Sequence, residues 1–372
     1  MAAETSPQTW NTILQQAIQF KASDIHIEPR GIDWQVRLRI DGLLRELPIA
    51  PDISRERLSN FIKVMADLDI SEKRLPQDGQ IKTEINQQSI QLRVSTMPVL
   101  HGEKIVLRLT GHYTDFDDTL SALGMNAAQE DLMMGALQQS SGLILVTGPT
   151  GSGKSRTLYT CLNILNDGQR NICAIEDPIE IEYPGIQQIP IHTKAGFDYP
   201  HALRALLRQD PDVIMIGEIR DRTTAQIALE ASRTGHLILA SLHTTSALGS
   251  IARLHGLGID QADLLEELRL VSAQRLLRQR CPSCHGSGVL CDTCHQKSYL
   301  GRIAVHEVLP MTAELREAFY IGHSLGTIKK QLSQMGFKSI DEEAQSLIAQ
   351  GMTDEAEVQR VLGLNDIRKH HE

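Results

Sequence analysis

The chain lacks the sequence features of a secreted or membrane-spanning protein. Residues Met1 to Trp10 contain no basic segment followed by an apolar run, so no secretory signal is predicted there. No other stretch approaches the roughly 20 consecutive apolar residues that a membrane span needs. We therefore expect no direct membrane span, and we expect any work at a membrane to be done through a partner protein.

The chain also lacks the positive charge that favours binding to nucleic acid. Its 37 lysines and arginines are outnumbered by 46 aspartates and glutamates, which gives a formal net charge of −9. Because the phosphate backbone of nucleic acid rewards a basic face, a nucleic-acid partner is not expected. With 372 residues, 41% of them hydrophobic, and no internal repeat, the chain is predicted to form two or three globular domains.

The first part of the chain has the pattern of a sheet domain. Short alternating runs of apolar and polar residues predict strands, with turns at Asp41-Gly42 and Asp78-Gly79. Apolar residues at helical spacing predict one helix over roughly 54–68. We therefore predict a mixed α+β sheet domain over residues 1–111, followed by a polar linker over 112–120.

Beyond residue 120 the pattern changes to continuous apolar runs that alternate with amphipathic helices. Such runs are buried on both faces of a parallel sheet, so we predict a doubly wound α/β domain over residues 121–262. From residue 263 a helical pattern resumes and is interrupted by a cysteine module, which together occupy 263–310, and helices close the chain over 311–372. The four runs predicted as buried strands are 143–147, 171–175, 213–216 and 237–240.

Six cysteines are present, and their spacing divides them into two kinds. Cys161 and Cys173 lie in apolar surroundings, where the expected role is that of small buried hydrophobic side chains. The other four form two Cys-x-x-Cys pairs, which without a secretory signal indicate a metal site rather than disulfides. These four are Cys281, Cys284, Cys291 and Cys294.

Four thiolates at these spacings suit a tetrahedral Zn²⁺ ion with no open coordination position, so the predicted site is structural. His285 and His295 each follow a pair and are possible replacement ligands, although four sulfurs already satisfy the metal. Since six residues separate the two pairs, a compact knuckle is expected. Buried cysteines without a metal are the alternative.

Residues 148–155 match the pattern G-x-x-x-x-G-K-[ST], directly after an apolar strand and before a helix predicted to begin near Lys154. Glycines let the backbone turn its N–H groups toward phosphate oxygens, and a helix N-terminus adds its positive dipole end. Lys154 is expected to reach the β- and γ-phosphates, and Ser155 to bind Mg²⁺. The predicted nucleotide-binding residues are Gly148, Pro149, Thr150, Gly151, Ser152, Gly153, Lys154, Ser155 and Arg156.

Two acidic elements follow at the ends of predicted strands. The box from Glu176 to Glu180 follows the strand at 171–175, and Glu218 follows the strand at 213–216. Carboxylates at the carboxyl end of a central strand lie beside the phosphates in such folds, where one of them can orient or deprotonate water. A single acid at the end of a strand is often only a solvated side chain. The phosphate loop, the acidic box and the strand before Glu218 follow one another in the order of a hydrolytic site, which favours that function.

Two histidines, His236 and His243, stand on either side of the strand predicted at 237–240. A lone histidine is more often a satisfied core residue, and two rings seven positions apart need not share one task. The strand-end position of His243, opposite the phosphate loop, favours a role as sensor of the γ-phosphate. We include both in the candidate catalytic set.

The sequence closely resembles the secretion ATPase superfamily, and within it the type II secretion and type IV pilus assembly ATPases of the GspE, PulE and PilB kind. The resemblance covers residues 22–361 and rests on the phosphate loop, the acidic box, the strand that ends at Glu218 and the histidine box over 235–244. Three further motifs lie in the first domain: ASDIHIEP at 22–29, KRLPQDG at 73–79 and RVST at 93–96. The resemblance implies a RecA-like P-loop NTPase domain behind a PAS-like sheet domain.

The resemblance also implies roles for individual residues. Glu180 matches the glutamate that polarises the attacking water, and Glu218 matches an acid that acts around Mg²⁺. Arg93 and Arg108 match arginines that the first domain brings over the phosphates, where a guanidinium stabilises transition-state charge. Without the resemblance, both arginines would be interpreted as ordinary strand residues that face water.

The implied protein is a homohexamer that hydrolyses ATP with Mg²⁺, carries Zn²⁺, and powers assembly of a pseudopilus or pilus. It is expected in the cytoplasm, associated peripherally with the inner membrane through a platform protein. The alternatives are a pilus retraction motor, a DNA-uptake motor, and a nucleotide-gated regulator that does not hydrolyse ATP. Retraction ATPases resemble the chain but lack the cysteines, which favours assembly.

The chain departs from the family pattern at three places. Arg156 stands where threonine is usual, which bears on nucleotide affinity and rate, and Thr223 replaces a usual glutamate. The sheet domain begins near Met1, whereas assembly ATPases commonly carry an extra N-terminal domain that docks to the membrane platform. We therefore expect the docking contact to be missing or supplied elsewhere.

Overall fold

The computed structural model describes residues 6–31, 33–48, 55–85, 88–110 and 119–363. The chain divides into two compact units, residues 1–116 and 117–372. Of the linker predicted over 112–120, only the last two positions are among the described residues. No helix in the described part of the chain is long and apolar enough to cross a membrane.

The first unit is a six-stranded sheet that packs with two helices. The helices are α1 (Ser6–Gln19) and α2 (Arg55–Met65), and the strands are β1 (Asp24–Arg30), β2 (Asp33–Ile40), β3 (Leu43–Leu47), β4 (Gln77–Ile85), β5 (Gln88–Val99) and β6 (Gly102–Thr110). The strand order is β3-β2-β1-β6-β5-β4, with antiparallel pairing throughout. Trp10 and Ile13 of α1 and Leu58 and Ile62 of α2 share one core with the sheet. The predicted α+β sheet domain is confirmed.

One of the two predicted turns is confirmed and the other is wrong. Asp41 and Gly42 connect β2 and β3 with φ angles of 49° and 82°, a left-handed pair typical of a two-residue hairpin turn. Asp78 and Gly79 lie inside β4, where they pair with β5. A Cβ on Gly79 would stand 2.6 Å from the backbone oxygen of Ala66. This glycine therefore permits close approach of the backbone that follows α2, rather than a change of chain direction.

The second unit is built on a seven-stranded sheet. Its strands are β7 (Gly142–Thr147), β8 (Ile172–Glu176), β9 (Gln187–Pro190), β10 (Val213–Ile216), β11 (Leu237–Leu242), β12 (Leu268–Arg280) and β13 (Tyr299–Pro310). In the order β13-β12-β7-β11-β10-β8-β9, the strands from β12 to β9 are parallel and β13 is antiparallel to β12. The four predicted buried strands form β7, β8, β10 and β11, so the predicted α/β domain is confirmed.

Helices cover both faces of this sheet. They are α3 (Ala127–Leu137), α4 (Lys154–Leu165), α5 (Tyr199–Leu206), α6 (Arg222–Arg233), α7 (Ala247–Gly256), α8 (Gln261–Glu267), α9 (Ala313–Tyr320), α10 (Leu325–Gln334), α11 (Ile340–Ala349) and α12 (Glu355–Leu362). Ile144 and Val146 of β7 belong to the core with α3 and α4, whereas Leu143 and Leu145 belong to the core with α5 to α8. Both faces of β7 are buried, which is why its sequence is continuously apolar.

The helical pattern predicted beyond residue 263 is wrong over most of its length before the cysteine module. Helix α8 ends at Glu267, and the next thirteen residues form β12. Its leucines, arginines and glutamines favour helices in isolation, but pairing with β7 on one side and β13 on the other satisfies the backbone. Seven of its first eight residues are buried, so tertiary packing overrides local propensity. The four helices α9 to α12 confirm the predicted helical C-terminal region.

Candidate functional site

The loop between β7 and α4 adopts positive φ angles that glycine allows. Gly148, Gly151 and Gly153 have φ angles of 154°, 78° and 92°, in the region that favours glycine. A Cβ on Gly148 would stand 2.6 Å from the backbone oxygen of Gln274. Because α4 begins at Lys154, the loop leads into a helix N-terminus whose amides and dipole attract anions.

Neighbouring strands hold this phosphate loop through residues that the sequence pattern did not identify. The Gln274 side chain on β12 donates to the backbone oxygen of Ser152 at 2.7 Å and accepts from the Thr157 hydroxyl at 2.9 Å. The Thr147 hydroxyl oxygen accepts from the backbone N–H of Thr244 at 2.9 Å. Both contacts join segments that are far apart along the chain, so no local motif could have revealed them.

Lys154 lies over the phosphate loop, where two acids affect its pKa. Its Nζ donates to the backbone oxygens of Gly148 at 2.9 Å and Pro149 at 3.1 Å. Burial lowers the pKa of Lys154, while the carboxylates of Glu218 and Glu180 oppose that shift. A half-buried cation above a cradle of glycine amides, with acids close by, fits a phosphate group accompanied by a divalent cation.

The other residues of the predicted nucleotide set lie on the same loop and the first turn of α4. Pro149, Thr150 and Ser155 are exposed, whereas Ser152 is buried behind the loop. Arg156 is half-buried at the third position of α4. Because Ser155 is exposed, a metal ion can reach its hydroxyl from solvent.

Glu218 and His243 meet just beyond the ends of adjacent strands. The His243 Nε2 atom lies 3.0 Å from Glu218 Oε1, and Arg220 Nε donates to Glu218 Oε2 at 2.7 Å. Because β10, β11 and β7 are parallel and in register, these strand ends share an edge of the sheet with the phosphate loop. The structure thus brings Lys154, Glu218 and His243 together.

The acidic box contains one exposed and one buried glutamate. Glu180 is exposed and close enough to Lys154 to affect its pKa. Glu176 is 5% exposed, receives a hydrogen bond from the Tyr159 hydroxyl, and accepts from Gln188 Nε2 at 3.0 Å. Burial raises the pKa of Glu176. Glu180 is therefore the glutamate of the box that water can approach.

His236 does not join this group. It precedes β11 at the end opposite His243, and its Nδ1 lies 2.9 Å from the backbone oxygen of Ala231. At about 3.3 Å per residue, the six residues of β11 separate the two histidines by roughly 20 Å. The inclusion of His236 in the catalytic set at this phosphate loop is therefore corrected, because the length of the strand keeps its ring away.

Arg93 and Arg108 lie in the first unit, directly opposite each other on β5 and β6. Arg108 Nε donates to Asp24 Oδ1 at 2.9 Å, and its side chain is 60% exposed. Arg93 is partly exposed. Like charges on directly paired positions are unfavourable, and Asp24 offsets that cost for Arg108.

The four cysteines of the two pairs come together at the end of the β12–β13 hairpin. Their sulfurs all lie within 4.8 Å of one another, with Cys281 to Cys291 at 3.8 Å and Cys284 to Cys294 at 3.7 Å. Four sulfurs at about 2.3 Å from one zinc ion stand about 3.8 Å apart. All four are free thiols, so the arrangement fits a tetrahedral metal site and not a disulfide.

A backbone contact favours the thiolate form of Cys284, whereas burial raises the pKa of the Cys294 thiol to about 11. The Gly288 N–H donates to Cys284 Sγ at 3.3 Å and lowers the pKa of that thiol to about 6. Thiolates are the form that binds metal. His285 and His295 are exposed and are not part of the group that could hold a metal ion. Cys161 and Cys173 are buried in the α/β cores, which confirms the structural role predicted for them.

Strand β7, the glycine loop, helix α4 and the acids beyond β8 and β10 define a P-loop nucleotide-binding domain. The chain belongs to the type II/IV secretion system protein family, whose model matches residues 3–360. The predicted membership of the secretion ATPase superfamily is confirmed.

Named relatives and a solved structure agree with this assignment. The chain is 43% identical to the putative type II secretion system protein E of Escherichia coli K12, over 94% of this chain and 76% of the relative. It is 41% identical to the type IV pilus assembly ATPase PilB of Pseudomonas aeruginosa, over 94% of this chain and 66% of the relative. The crystal structure of the pilus retraction motor PilT with bound ADP is similar with a TM-score of 0.68 and 26% identity, over 94% of this chain and 96% of that chain.

Proposed function

We propose that this chain is an ATPase that powers assembly of a type II secretion pseudopilus or a type IV pilus. The observation that carries the proposal is the meeting of Lys154, Glu180, Glu218 and His243 around one phosphate loop. Relatives of 41–43% identity that are named as secretion protein E and pilus assembly ATPase support the class of machine.

Each group around the loop has a role in phosphoryl transfer to water. The loop amides and Lys154 bind the β- and γ-phosphates of ATP, and Ser155 and Glu218 would hold Mg²⁺, which neutralises phosphate charge when bound. Glu180 orients the attacking water and accepts its proton, so that the γ-phosphoryl group leaves ADP as inorganic phosphate. His243 senses the γ-phosphate through its contact with Glu218.

The proposal also assigns a role to two arginines of the first unit. Arg93 and Arg108 supply positive charge to the γ-phosphoryl oxygens, where charge spreads in the transition state. The working form is a homohexamer. The ring acts from the cytoplasmic face on a platform protein of the inner membrane, with which it associates peripherally.

We assign a structural Zn²⁺ ion to the four-cysteine cluster. Four thiolates leave no open position for a substrate, so the ion supplies folding energy rather than catalysis. Cys281 directly follows β12, and the cluster ends five residues before Tyr299, the first residue of β13. The ion therefore closes the end of this hairpin.

The alternatives have weaker support. A retraction motor is favoured by the likeness to PilT, but that identity is 26%, against 41–43% for the secretion and assembly relatives. A regulator that binds ATP without hydrolysing it is disfavoured because Lys154, Glu180 and Glu218 are all in place. A nucleic-acid translocase is disfavoured by the net charge of −9.

Phosphate release from Mg·ATP, under conditions that permit ring formation, tests the proposal. We expect Lys154→Ala to abolish turnover, because it removes the cation that binds the β- and γ-phosphates. We expect Glu180→Gln to lower turnover by about 10² or more while ATP binding is retained, because the amide cannot accept the proton of water. Lys330→Ala on α10 and Glu230→Gln on α6 are matched exposed controls that should leave turnover unchanged.

Two results would overturn these assignments. If the unmodified chain releases no phosphate, it is not an ATPase and the motor proposal fails. If Glu180→Gln hydrolyses ATP at the normal rate, the attacking water is prepared by another group.

A further inference from the structure

Tyr159 connects the P-loop helix to the acidic box. It lies on α4, one turn beyond Ser155, and its side chain is 1% exposed. Its hydroxyl donates to the carboxylate of Glu176, the last residue of β8. The helix that begins with Lys154 is therefore hydrogen-bonded to the residue from which the acidic box starts.

Gln188 on β9 fixes the other end of the box. Its Nε2 donates to Glu176 Oε1 at 3.0 Å and to the backbone oxygen of Ile181 at 2.7 Å. Its Oε1 accepts from the backbone N–H of Tyr183 at 2.9 Å. The Gln188 side chain is therefore hydrogen-bonded to the chain both before and after Glu180.

A ring contact reinforces the same connection. The Tyr183 ring stacks on the Tyr159 ring with centroids 4.7 Å apart and planes 12° from parallel. The backbone amide of Glu180 itself interacts with the buried Glu176 carboxylate. Glu176 serves as the fixed point of this network, since burial and protein hydrogen bonds leave it no access to a reacting water.

We propose that Tyr159 and Gln188 are positioning residues that set the placement of Glu180 relative to Lys154. The inference rests on the proposed function, because it assigns Glu180 the task of preparing water. Misplacement of a catalytic group by about 1 Å costs roughly 10²-fold in rate, and Glu180 lies on the ten-residue connection between β8 and β9, which needs contacts with other elements to hold it in place. The hydrogen bond from Tyr159 on α4 to Glu176 therefore fixes the acidic box, and with it Glu180, relative to the helix that binds phosphate.

Tyr159→Phe is the variant that tests the proposal, because it retains the ring on Tyr183 and removes only the hydroxyl. We expect kcat to fall roughly tenfold or more, while KM and the affinity for a non-hydrolysable ATP analogue change less than about twofold, because the phosphate loop is untouched. Gln188→Met is the second variant, with a side chain of similar length and no hydrogen-bonding amide, and the same split is expected.

Tyr299→Phe is the matched control. The Tyr299 hydroxyl also donates to a carboxylate of the second unit, Asp354 Oδ2 at 2.6 Å, but it lies beside the cysteine module. We expect this variant to keep its kcat. A loss of equal size in Tyr159→Phe and Tyr299→Phe would show a general cost of removing a tyrosine hydroxyl that donates to a carboxylate and would overturn the positioning role.

A double variant separates this proposal from the proposed function. In single-turnover measurements over hours, Tyr159→Phe should cause no further loss in a Glu180→Gln chain, because both changes act through the same carboxylate. A further tenfold loss would show that Tyr159 acts independently of Glu180. An unchanged kcat in Tyr159→Phe, or a parallel loss of kcat, nucleotide affinity and thermal stability, also rejects the positioning role. Normal turnover in Glu180→Gln alone would instead reject the role proposed for Glu180.

Discussion

At the scale of single residues, environment separates side chains that a sequence pattern treats alike. Glu176 and Glu180 belong to one acidic box, yet one is buried under Tyr159 and the other is open to water. His236 and His243 belong to one histidine box, yet they lie at opposite ends of β11. Spacing along the chain predicted which residue types gather near phosphate, but only burial and strand direction show which of them can reach it.

His306 on β13 carries a prediction about acid stability. Its side chain is 1% exposed, and its Nε2 lies 3.0 Å from the backbone oxygen of Leu123, to which the neutral ring donates. Burial lowers the pKa of His306 to about 4, from an ordinary value of 6.5. The stabilisation from the neutral ring is complete above pH 6.5 and is lost as the pH falls toward 4, at a cost of roughly 3 kcal/mol in the free energy of unfolding.

Urea unfolding followed by far-UV circular dichroism at several pH values measures this loss. A His306→Gln chain retains a donor for Leu123 but has no titrating ring, so its free energy of unfolding should fall less between pH 6.5 and 4.5. Contributions from groups common to both chains cancel in the difference. Parallel pH curves for the two chains would contradict the prediction.

At the scale of elements, pattern and pairing contribute different information. The continuous apolar runs correctly predicted β7, β8, β10 and β11, because a strand buried on both faces has no polar face to show. The segment of β12 contains Gln274 and Arg275, whose partners are the phosphate loop and the backbone beyond β11. Its strand conformation depends on those distant partners, so local propensity pointed to a helix.

The β12–β13 hairpin carries a prediction about metal. Elemental analysis of the purified chain should find about one zinc per chain, since four thiolates form one closed tetrahedral site. Changing Cys284 and Cys294 together to serine should reduce the zinc content to near zero, whereas Cys161→Ala, in the buried core, should retain it. A zinc-free purified chain would return these cysteines to a purely structural role without metal, and a double variant that keeps its zinc would show that the metal binds elsewhere.

At the scale of the whole molecule, the residues to which the proposed function assigns a role are divided between the two units. Arg93 and Arg108 lie on paired strands of the first unit, and the phosphate loop lies in the second. Two arginines on directly opposite positions repel each other unless an anion lies close by. Within the first unit, Asp24 is the anion that accepts a hydrogen bond from Arg108.

We expect Arg108→Ala to lower kcat by at least about tenfold with a smaller effect on ATP affinity, since the guanidinium acts mainly on transition-state charge. Arg57→Ala, an exposed change on α2, is the control and should have normal turnover. Both tryptophans, Trp10 and Trp34, lie in the first unit, so their fluorescence verifies its folding in each variant. Full turnover in folded Arg108→Ala would exclude this arginine from the site.

The sequence by itself determined the class of this protein. The glycine spacing around Lys154, the buried apolar runs and the paired cysteines are local patterns, and local patterns are enough because backbone freedom, burial on two faces and thiolate spacing are set within a few residues. Tertiary structure alone decided that Gln274 supports the phosphate loop, that Glu180 rather than Glu176 faces water, and that Gly79 serves a close contact. These outcomes depend on contacts between segments that are distant in sequence, and no single stretch of the sequence determines the energy of those contacts.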